Sequence, residues 1–482
     1  MKQRRICTIF ALLGSAAALA ACSLAPDYHV PETPAPQQYK EVDTEHGTWS
    51  SAAPADAQAR GEWWRLFGDS DLNDLQQRAA AANQDLRAAL ARFEQARAEA
   101  AYARASFFPS LDLNASSTRQ RESKNRPPNP ATTNTAVYTD NLLTADLSYE
   151  FDLWGRVRDT ANAAKAQERA SAADLQAATL SLQSDVATNY FLLRSYDAEL
   201  QLLEDTVVAY DKALELTRNR YRGGAAAEVD VTQAQTQLET ARAQVADTRL
   251  KRAQLEHAIA VLVGEATSGF SLPKRPLDVA APVIPAGLPS TLLQRRPDIA
   301  AAERRVAAAN AEIGVARAAY FPVFSFGASF GYEGGNGGSW LTAPARLWSM
   351  GPALAMPLFD GGARGARSDE AHARYDEMVA NYRQTVLNAF REVEDNLAAQ
   401  RLLEQEGHSQ TAAVEAAQRT LFHANKRYVG GAVSYLEVVT AQNSALQAER
   451  ALVDVTVRRL NASVLLVKAL GGDWSETTAQ AQ

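Results

Sequence analysis

The chain has 482 residues, a formal net charge of −7 at pH 7, and ordinary fractions of hydrophobic (46%) and charged (22%) residues. An acidic chain without a basic stripe is not expected to bind nucleic acid. The two cysteines, Cys7 and Cys22, both lie near the N-terminus, which excludes a disulfide, a thiol nucleophile or a cysteine-based metal site in the rest of the sequence.

Residues 1–21 have the pattern of a secretory signal peptide, because the cations Lys2 and Arg4 precede an apolar run that ends in small residues. The Leu-Ala-Ala-Cys sequence at 19–22 resembles a bacterial lipoprotein box. It predicts that Cys22 carries a lipid anchor, palmitate included, and begins the mature chain. We assign 1–21 to the signal peptide and 22–62 to a lipidated N-terminal extension. Ser23 after the cysteine resembles the signal for export to the outer membrane.

Four later segments alternate apolar and polar residues with the period of two that is typical of β-strands. They lie at 144–153, 323–332 and 348–358, with a weaker beginning at 111–114. A tilted strand of about 10 residues spans a membrane. A soluble antiparallel sheet packed on a core would alternate in the same way. In a membrane, four strands would have to close a barrel with other chains, because lipid does not tolerate open strand edges.

Two uncommonly long helices are predicted after the strand pairs. No Gly or Pro interrupts 156–222, and only Gly407 interrupts 366–429. The first segment shows the alternating steps of three and four residues that are typical of a coiled coil. Its seam consists of Leu182, Val186, Asn189, Leu193, Tyr196, Leu200, Leu203, Val207, Tyr210, Leu214, Thr217 and Tyr221. A purely structural coiled coil would show the same spacing.

Each long helix ends at a pair of glycines, Gly223-Gly224 and Gly430-Gly431. Glycine often ends a helix because it adopts the left-handed conformation at little cost. New helices are predicted to start near Val229 and Leu436. Both halves of the chain therefore carry a helical hairpin with a glycine pair at its tip. We expect both glycines of each pair to need conformations that are closed to residues with a Cβ.

The second half of the chain repeats the first. Arg220–Ala225 (RYRGGA) returns as Arg427–Ala432 (RYVGGA) at an offset of 207 (427 − 220), and Phe108-Pro109 returns as Phe321-Pro322. A repeat of this length indicates two copies of one module, in which a helix, a strand pair and a long helical hairpin follow one another. We divide the chain into repeat 1 at 63–270, a Pro-rich linker at 271–297, repeat 2 at 298–474 and a C-terminal tail at 475–482.

Specific motifs lie along the whole chain, at Cys22–Tyr28, Trp64–Leu72, Phe151–Arg156, Leu292–Ile299 and Lys468–Gly472. Together they resemble the TolC/OprM superfamily of outer-membrane efflux factors, in particular its NodT-type lipoprotein branch. The resemblance implies a mostly α-helical protein with a membrane β-barrel. It implies a homotrimer in which three chains of four strands each close a 12-stranded barrel, continuous with an α-helical barrel in the periplasm.

The same resemblance implies an outer-membrane channel, the exit duct of a tripartite efflux system that exports drugs or other small toxic solutes and confers antibiotic resistance. Its partners would be outer-membrane lipid, a periplasmic adaptor and an inner-membrane efflux pump of the RND type. Adaptor docking is expected at the hairpin tips, on Gly223, Gly224, Gly430 and Gly431. A periplasmic coiled-coil adaptor lipoprotein without a pore, which also uses long hairpins, stays the alternative.

Members of this family close the hairpin tips with a tyrosine-centred network and acidic rings. The resemblance places the gating tyrosine at Tyr428 and its partner aspartate, on the neighbouring hairpin, at Asp230. Glu437 occupies an acidic-ring position, and Leu436 is expected to form a hydrophobic constriction. The arginine of the family network falls at a valine in this chain. We therefore expect a periplasmic gate that is closed by hydrogen bonds rather than by ion pairs.

Nothing in the sequence indicates an enzyme. The six histidines include no pair four residues apart that would bind a metal, and no glycine-rich phosphate loop opens a helix after a strand. We expect no catalytic residues, no metal and no cofactor.

Overall fold

The computed structural model describes residues 23–33, 39–41, 61–121, 123, 136–282, 295–335 and 340–472. The predicted lipidation site, Cys22, lies outside these residues. Within them the chain is mostly helical, and each half contains a helix, a strand pair and a helical hairpin in the predicted order. None of the described helices combines the length and the apolar composition that crossing a membrane requires.

The described helices are α1 Ser70–Ala82, α2 Gln84–Ala105, α3 Arg156–Arg222, α4 Glu228–Leu262, α5 Pro297–Ala318, α6 Ala363–Val429 and α7 Tyr435–Ala469. The strands are β1 Ser110–Gln120, β2 Tyr138–Phe151, β3 Val323–Gly334 and β4 Arg346–Ala355. Short 3₁₀ turns lie at Trp63–Phe67 and Ala343–Ala345.

The predicted strands are confirmed, with changed ends. β1 is a full strand of 11 residues, although the sequence indicated only its beginning. β2 starts six residues before the predicted segment (144 − 138) and ends at Phe151. β4 stops at Ala355, three residues before the predicted end (358 − 355). It stops there because its partner β3 begins only at Val323, which pairs with Ala355.

The long helices repeat in structure as they do in sequence. α3 and α6 each have 67 residues, and α4 and α7 each have 35. Most of the predicted seam of α3 is buried, but Tyr221 is 46% exposed, whereas its counterpart Tyr428 is 5% exposed. The difference arises because the ring of Tyr435 covers Tyr428, while the residue of repeat 1 equivalent to Tyr435 is Glu228 (435 − 207).

Two compact units divide the chain. Of the described residues, the strand unit comprises 23–32, 93–121, 123, 136–171, 301–335 and 340–382, and the hairpin unit comprises 33, 39–41, 61–92, 172–282, 295–300 and 383–472. Each unit combines segments of both sequence repeats.

In the strand unit the four strands form one antiparallel sheet in the order β1-β2-β3-β4. The register aligns similar side chains across the sheet. One cross-strand row is apolar and consists of Leu113, Ala145, Phe330 and Trp348. The neighbouring row is polar and consists of Asp112, Asp146, Ser329 and Ser349. Because successive residues of a strand point to opposite faces, the sheet has one apolar and one polar face.

The hairpin unit buries its core beside α1 and the first 3₁₀ turn. Trp63 and Leu72 are fully buried in one hydrophobic cluster with Phe191 of α3 and Ile259 of α4. Asp69 is the N-cap of α1, because its Oδ1 accepts hydrogen bonds from two backbone amides of the first turn, at 2.8 and 3.0 Å. These amides have no partner within the helix, so the cap satisfies them.

Candidate functional site at the hairpin tips

The tips of the two hairpins share one backbone geometry. In the first, the amide of Ala225 donates to Arg220 O (2.8 Å), and the amide of Gly224 donates to Tyr221 O (2.9 Å). This is the Schellman pattern that ends many helices, and Gly224 has the positive φ (75°) that the pattern requires. The second tip repeats it, with a φ of 76° at Gly431.

Only the second glycine of each pair needs to be glycine. The expectation that both glycines adopt such a conformation is wrong for Gly223 and Gly430, because neither has a positive φ. A Cβ on Gly223 would lie 3.5 Å from Asn219 O, which is ordinary van der Waals contact. The first glycine still follows the helical turn, and the chain reverses its handedness only at the second.

Tyr428, the predicted gating tyrosine, is buried within the hairpin unit. Its ring contacts that of Tyr435 edge to face, with 5.2 Å between the centroids. Tyr210 of the first hairpin belongs to the same hydrophobic cluster. Burial raises the pKa of Tyr210 and that of Tyr435 to about 12, so both hydroxyls stay protonated at neutral pH. Tyr210 lies in the seam that the heptad spacing predicts. Tyr435 is not among the predicted site residues, because its position in the sequence indicates only a solvated helix start.

The predicted partners Tyr428 and Asp230 are not hydrogen-bonded to each other within one chain. The hydroxyl of Tyr428 has no hydrogen-bond partner among the described residues. Asp230 Oδ2 instead accepts from the amide of Ala227 (3.3 Å), just before α4. Asp230 therefore serves its own helix as a cap in the single chain.

Arg220 lies against Tyr428 and joins the two hairpins. Its guanidinium carbon lies 4.9 Å from the centroid of the Tyr428 ring, and its Nη1 donates to Val429 O at 2.9 Å. Arg220 is not among the predicted gate residues, because the family resemblance points to an arginine only at a position that is a valine in this chain. The signal that would have found it is the arginine that precedes both glycine pairs, Arg220 and Arg427.

Glu437, the predicted acidic-ring residue, has a cation beside it. Its Oε1 accepts from Arg427 Nη1 at 2.6 Å, and the two side chains are 42% and 56% exposed. A pair this exposed contributes about 0–1 kcal/mol to stability, but the guanidinium of Arg427 offsets the negative charge of Glu437.

Leu436 is 56% exposed, as a constricting side chain would be. The described residues contain no cluster of His, Cys, Asp and Glu that would hold a metal ion.

Comparisons with known proteins agree on one family. A family profile described as outer membrane efflux protein matches residues 75–265 and 288–472. The chain is 34% identical to the probable efflux pump outer membrane protein TtgC of Pseudomonas putida, over 98% of this chain and 97% of TtgC. It is 35% identical to the outer membrane protein OprJ of Pseudomonas aeruginosa, over 95% and 94% of the two chains.

A solved structure extends this likeness to the fold. The CmeC outer membrane channel of Campylobacter jejuni matches with a TM-score of 0.84 at 27% identity, over 95% of this chain and 98% of CmeC. The names of these proteins describe efflux and a channel rather than an enzyme.

Proposed function

Because this chain belongs to the outer membrane efflux protein family, we propose that it is the outer-membrane channel of a tripartite efflux system. It is the exit duct through which drugs or other small toxic solutes leave the cell. The observation that carries this proposal is one chain that combines a sheet having an exposed apolar face with duplicated long helical hairpins.

The sheet suits the wall of a membrane pore. Leu113, Trp348 and Met350 on its apolar face are each at least 66% exposed, whereas a soluble protein would bury such a face. On the opposite face polar groups bind one another, as Asn114 Nδ2 does when it donates to Asp146 (2.7 Å). The apolar face therefore suits contact with lipid, and the polar face suits contact with a water-filled pore.

The edges of the sheet favour a homotrimer. In the described chain β1 and β4 each pair with a neighbour on one side only. Three chains in a ring would pair each β1 with the β4 of the next chain and close a 12-stranded barrel without open edges. Aromatic side chains cluster at one end of β2 and β3. The ring centroid of Phe151 lies 5.0 Å from that of Tyr149 and 5.4 Å from that of Phe324. Such a cluster suits the membrane–water interface.

The helical hairpins would continue the duct through the periplasm as an α-barrel. Gly223, Gly224, Gly430 and Gly431 are all exposed, which leaves the backbone of both tips accessible to a periplasmic adaptor. Through that adaptor, an inner-membrane pump of the RND type would deliver its substrates. The periplasmic gate would be formed by Asp230, Tyr428, Leu436 and Glu437.

The proposed lipid anchor at Cys22 gains support from the residue that follows it. Ser23 Oγ donates to Asp159 Oδ1 (2.8 Å) near the start of α3. α3 begins five residues after the end of β2 (156 − 151), so this bond would hold the anchor close to the membrane-facing sheet. The sequence-based alternative, an adaptor lipoprotein without a pore, does not account for that sheet or for the relatives named as outer membrane proteins.

Reconstitution and genetics together test the channel function. The purified protein should produce discrete conductance steps in planar lipid bilayers. Deletion of its gene should make the cell more susceptible to drugs, and a plasmid copy should restore resistance. A purified trimer that never conducts, together with unchanged susceptibility in the deletion strain, would contradict the proposal.

A further inference from the structure

We propose that Arg220 is a clasp that holds the two hairpins of one chain together at their tips and so keeps the resting channel closed. The closing role rests on the proposed channel function. The clasp adds to the gate a residue of the first hairpin that lies outside the predicted tyrosine–aspartate pair.

The first contact of Arg220 is with the end of α6. Its Nη1 donates to the carbonyl of Val429 at 2.9 Å, and Val429 is the last residue of that helix. The last carbonyls of a helix have no partner within it and form the negative end of the helix dipole, so a guanidinium group is a favourable partner. Arg220 and Val429 lie 209 positions apart in the chain, so the bond joins separate hairpins.

The second contact fixes the ring of Tyr428. The guanidinium carbon lies 4.9 Å from the ring centroid, within the range of cation–π attraction. Tyr435 touches the same ring at 5.2 Å, and Tyr428 is 5% exposed. Because the ring is shielded from water, the attraction is stronger than at an open surface. The ring is thus held by a cation of the first hairpin and an aromatic side chain of the second.

The sequence repeat provides an internal comparison. Arg427 is equivalent to Arg220 (220 + 207), but it binds Glu437 of its own hairpin at 2.6 Å. Among the contacts that the structure describes, Arg220 is therefore the member of the pair that crosses between hairpins. Separation of the tips would break both contacts of Arg220 and leave the Arg427 pair intact, which is the behaviour of a clasp.

The test compares Arg220→Ala with Arg222→Ala. The second variant removes the same charge from the same turn, but only a local contact with Asn219 (3.4 Å). In planar bilayers Arg220→Ala should raise the ratio of open to closed channels about tenfold, and Arg222→Ala should behave like the wild type. Arg220→Lys keeps the charge without the planar guanidinium and should lie between them. An unchanged ratio in Arg220→Ala, or an equal rise in Arg222→Ala, would overturn the clasp.

A second measurement does not depend on conduction. Amide hydrogen exchange in the last turn of α6 should become faster in Arg220→Ala but not in Arg222→Ala, because only the former frees that helix end. If exchange follows this pattern while the wild-type protein never conducts, the channel function fails and the contact between hairpins stands. If exchange is the same in both variants, the clasp itself is overturned, whatever the conductance.

Discussion

Asp230 and Glu437 occupy equivalent positions of the two repeats (437 − 207), yet only Glu437 pairs with the arginine of its own hairpin. Asp230 is one methylene shorter, and its carboxylate turns back to the amide of Ala227. Arg220 then reaches the other hairpin, whereas Arg427 does not. At the scale of single residues, one methylene group thus accompanies the change from a local ion pair to a contact between hairpins.

The Arg427–Glu437 pair predicts opposite changes in ion selectivity. Glu437→Ala removes one negative charge per chain from the proposed entrance of the channel and should weaken the preference for cations that we expect there. Arg427→Ala leaves the carboxylate without its cation and should strengthen that preference. Reversal potentials under a salt gradient measure both effects, which should shrink at high salt because exposed charges are screened. A change of the same sign in both variants would contradict the role of Glu437.

The two glycines of a tip should respond differently to alanine. Gly431→Ala should destabilise the tip by about 1–2 kcal/mol, because an L-residue at a φ of 76° is strained. Gly430→Ala is the matched control, since its Cβ would meet Lys426 O at 3.4 Å without a positive φ. Hydrogen exchange at the tip measures the difference, and equal protection in the two variants would refute it.

At the scale of elements, α5 forms a seat for the N-terminal strap, defined as residues 23–28. Asn310 Nδ2 donates to Pro26 O (2.8 Å), and the hydroxyl of Tyr28 donates to Glu303. Gly314 leaves room for the strap and for Asp159, because a Cβ there would lie 2.2 Å from Asp159 Oδ2 and 2.7 Å from Ala25 Cβ. Real Cβ atoms essentially never come that close to another atom, so glycine allows the strap to lie against α5 without a shift of its neighbours.

Gly314→Leu should therefore displace the strap. We expect faster hydrogen exchange and easier proteolysis within residues 23–28, while the helices stay folded. Gly407→Ala is the control: it also replaces a glycine inside a helix, but its Cβ would meet Val455 Cγ1 at an ordinary 3.5 Å. That variant should gain about 0.5–1 kcal/mol of stability, since alanine favours helix over glycine. Unaltered protection of the strap in Gly314→Leu would count against the seat.

Asp159, which the strap contacts, makes the stability of the strand unit depend on pH. Burial raises the pKa of this carboxyl above its ordinary value, and the hydrogen bond from Ser23 only partly opposes the rise. A raised folded-state pKa contributes stability that is complete below the ordinary value of about 4 and is lost as pH rises through the folded value. Hydrogen exchange of the strand unit around Asp159, corrected for intrinsic rates, should thus be slower at pH 4 than at pH 7. Asp159→Asn should abolish that difference; an undiminished difference would assign it to another group.

At the scale of the whole molecule, two attachments to the outer membrane are proposed, the β-sheet and the lipid on Cys22. They differ in strength, because a single acyl chain binds a membrane only marginally and reversibly, whereas a membrane-spanning structure stays in it. The sheet, with its exposed apolar face, should therefore dominate.

Cys22→Ser separates the two attachments. The variant should lose labelling by radioactive palmitate and still sediment with the outer membrane, because the proposed barrel remains. Wild-type protein processed in parallel is the control for both readouts. Loss of labelling together with release into the soluble periplasm would contradict the barrel, since the lipid would then be the sole attachment.

The sequence by itself determined the elements and their order. Period-two alternation marks β2 and β3, a run without Gly or Pro marks α3, and both glycine pairs mark helix ends. These signals are local, since each depends on neighbouring residues and their backbone preferences. Most of them occur twice, because the second half of the chain repeats the first. The family resemblance further located the tip residues, Tyr428 among them, that are proposed to form the gate.

Only the tertiary structure decided how those tip residues are used. Arg220 and Tyr428 are far apart in the chain and meet only when the hairpins pack, so no local pattern records their contact. The burial of Tyr428 under Tyr435, and the pairing of Arg427 with Glu437, likewise depend on where a helix returns after its turn. Side-chain contacts between distant segments are set by packing, and packing is a property of the folded chain as a whole.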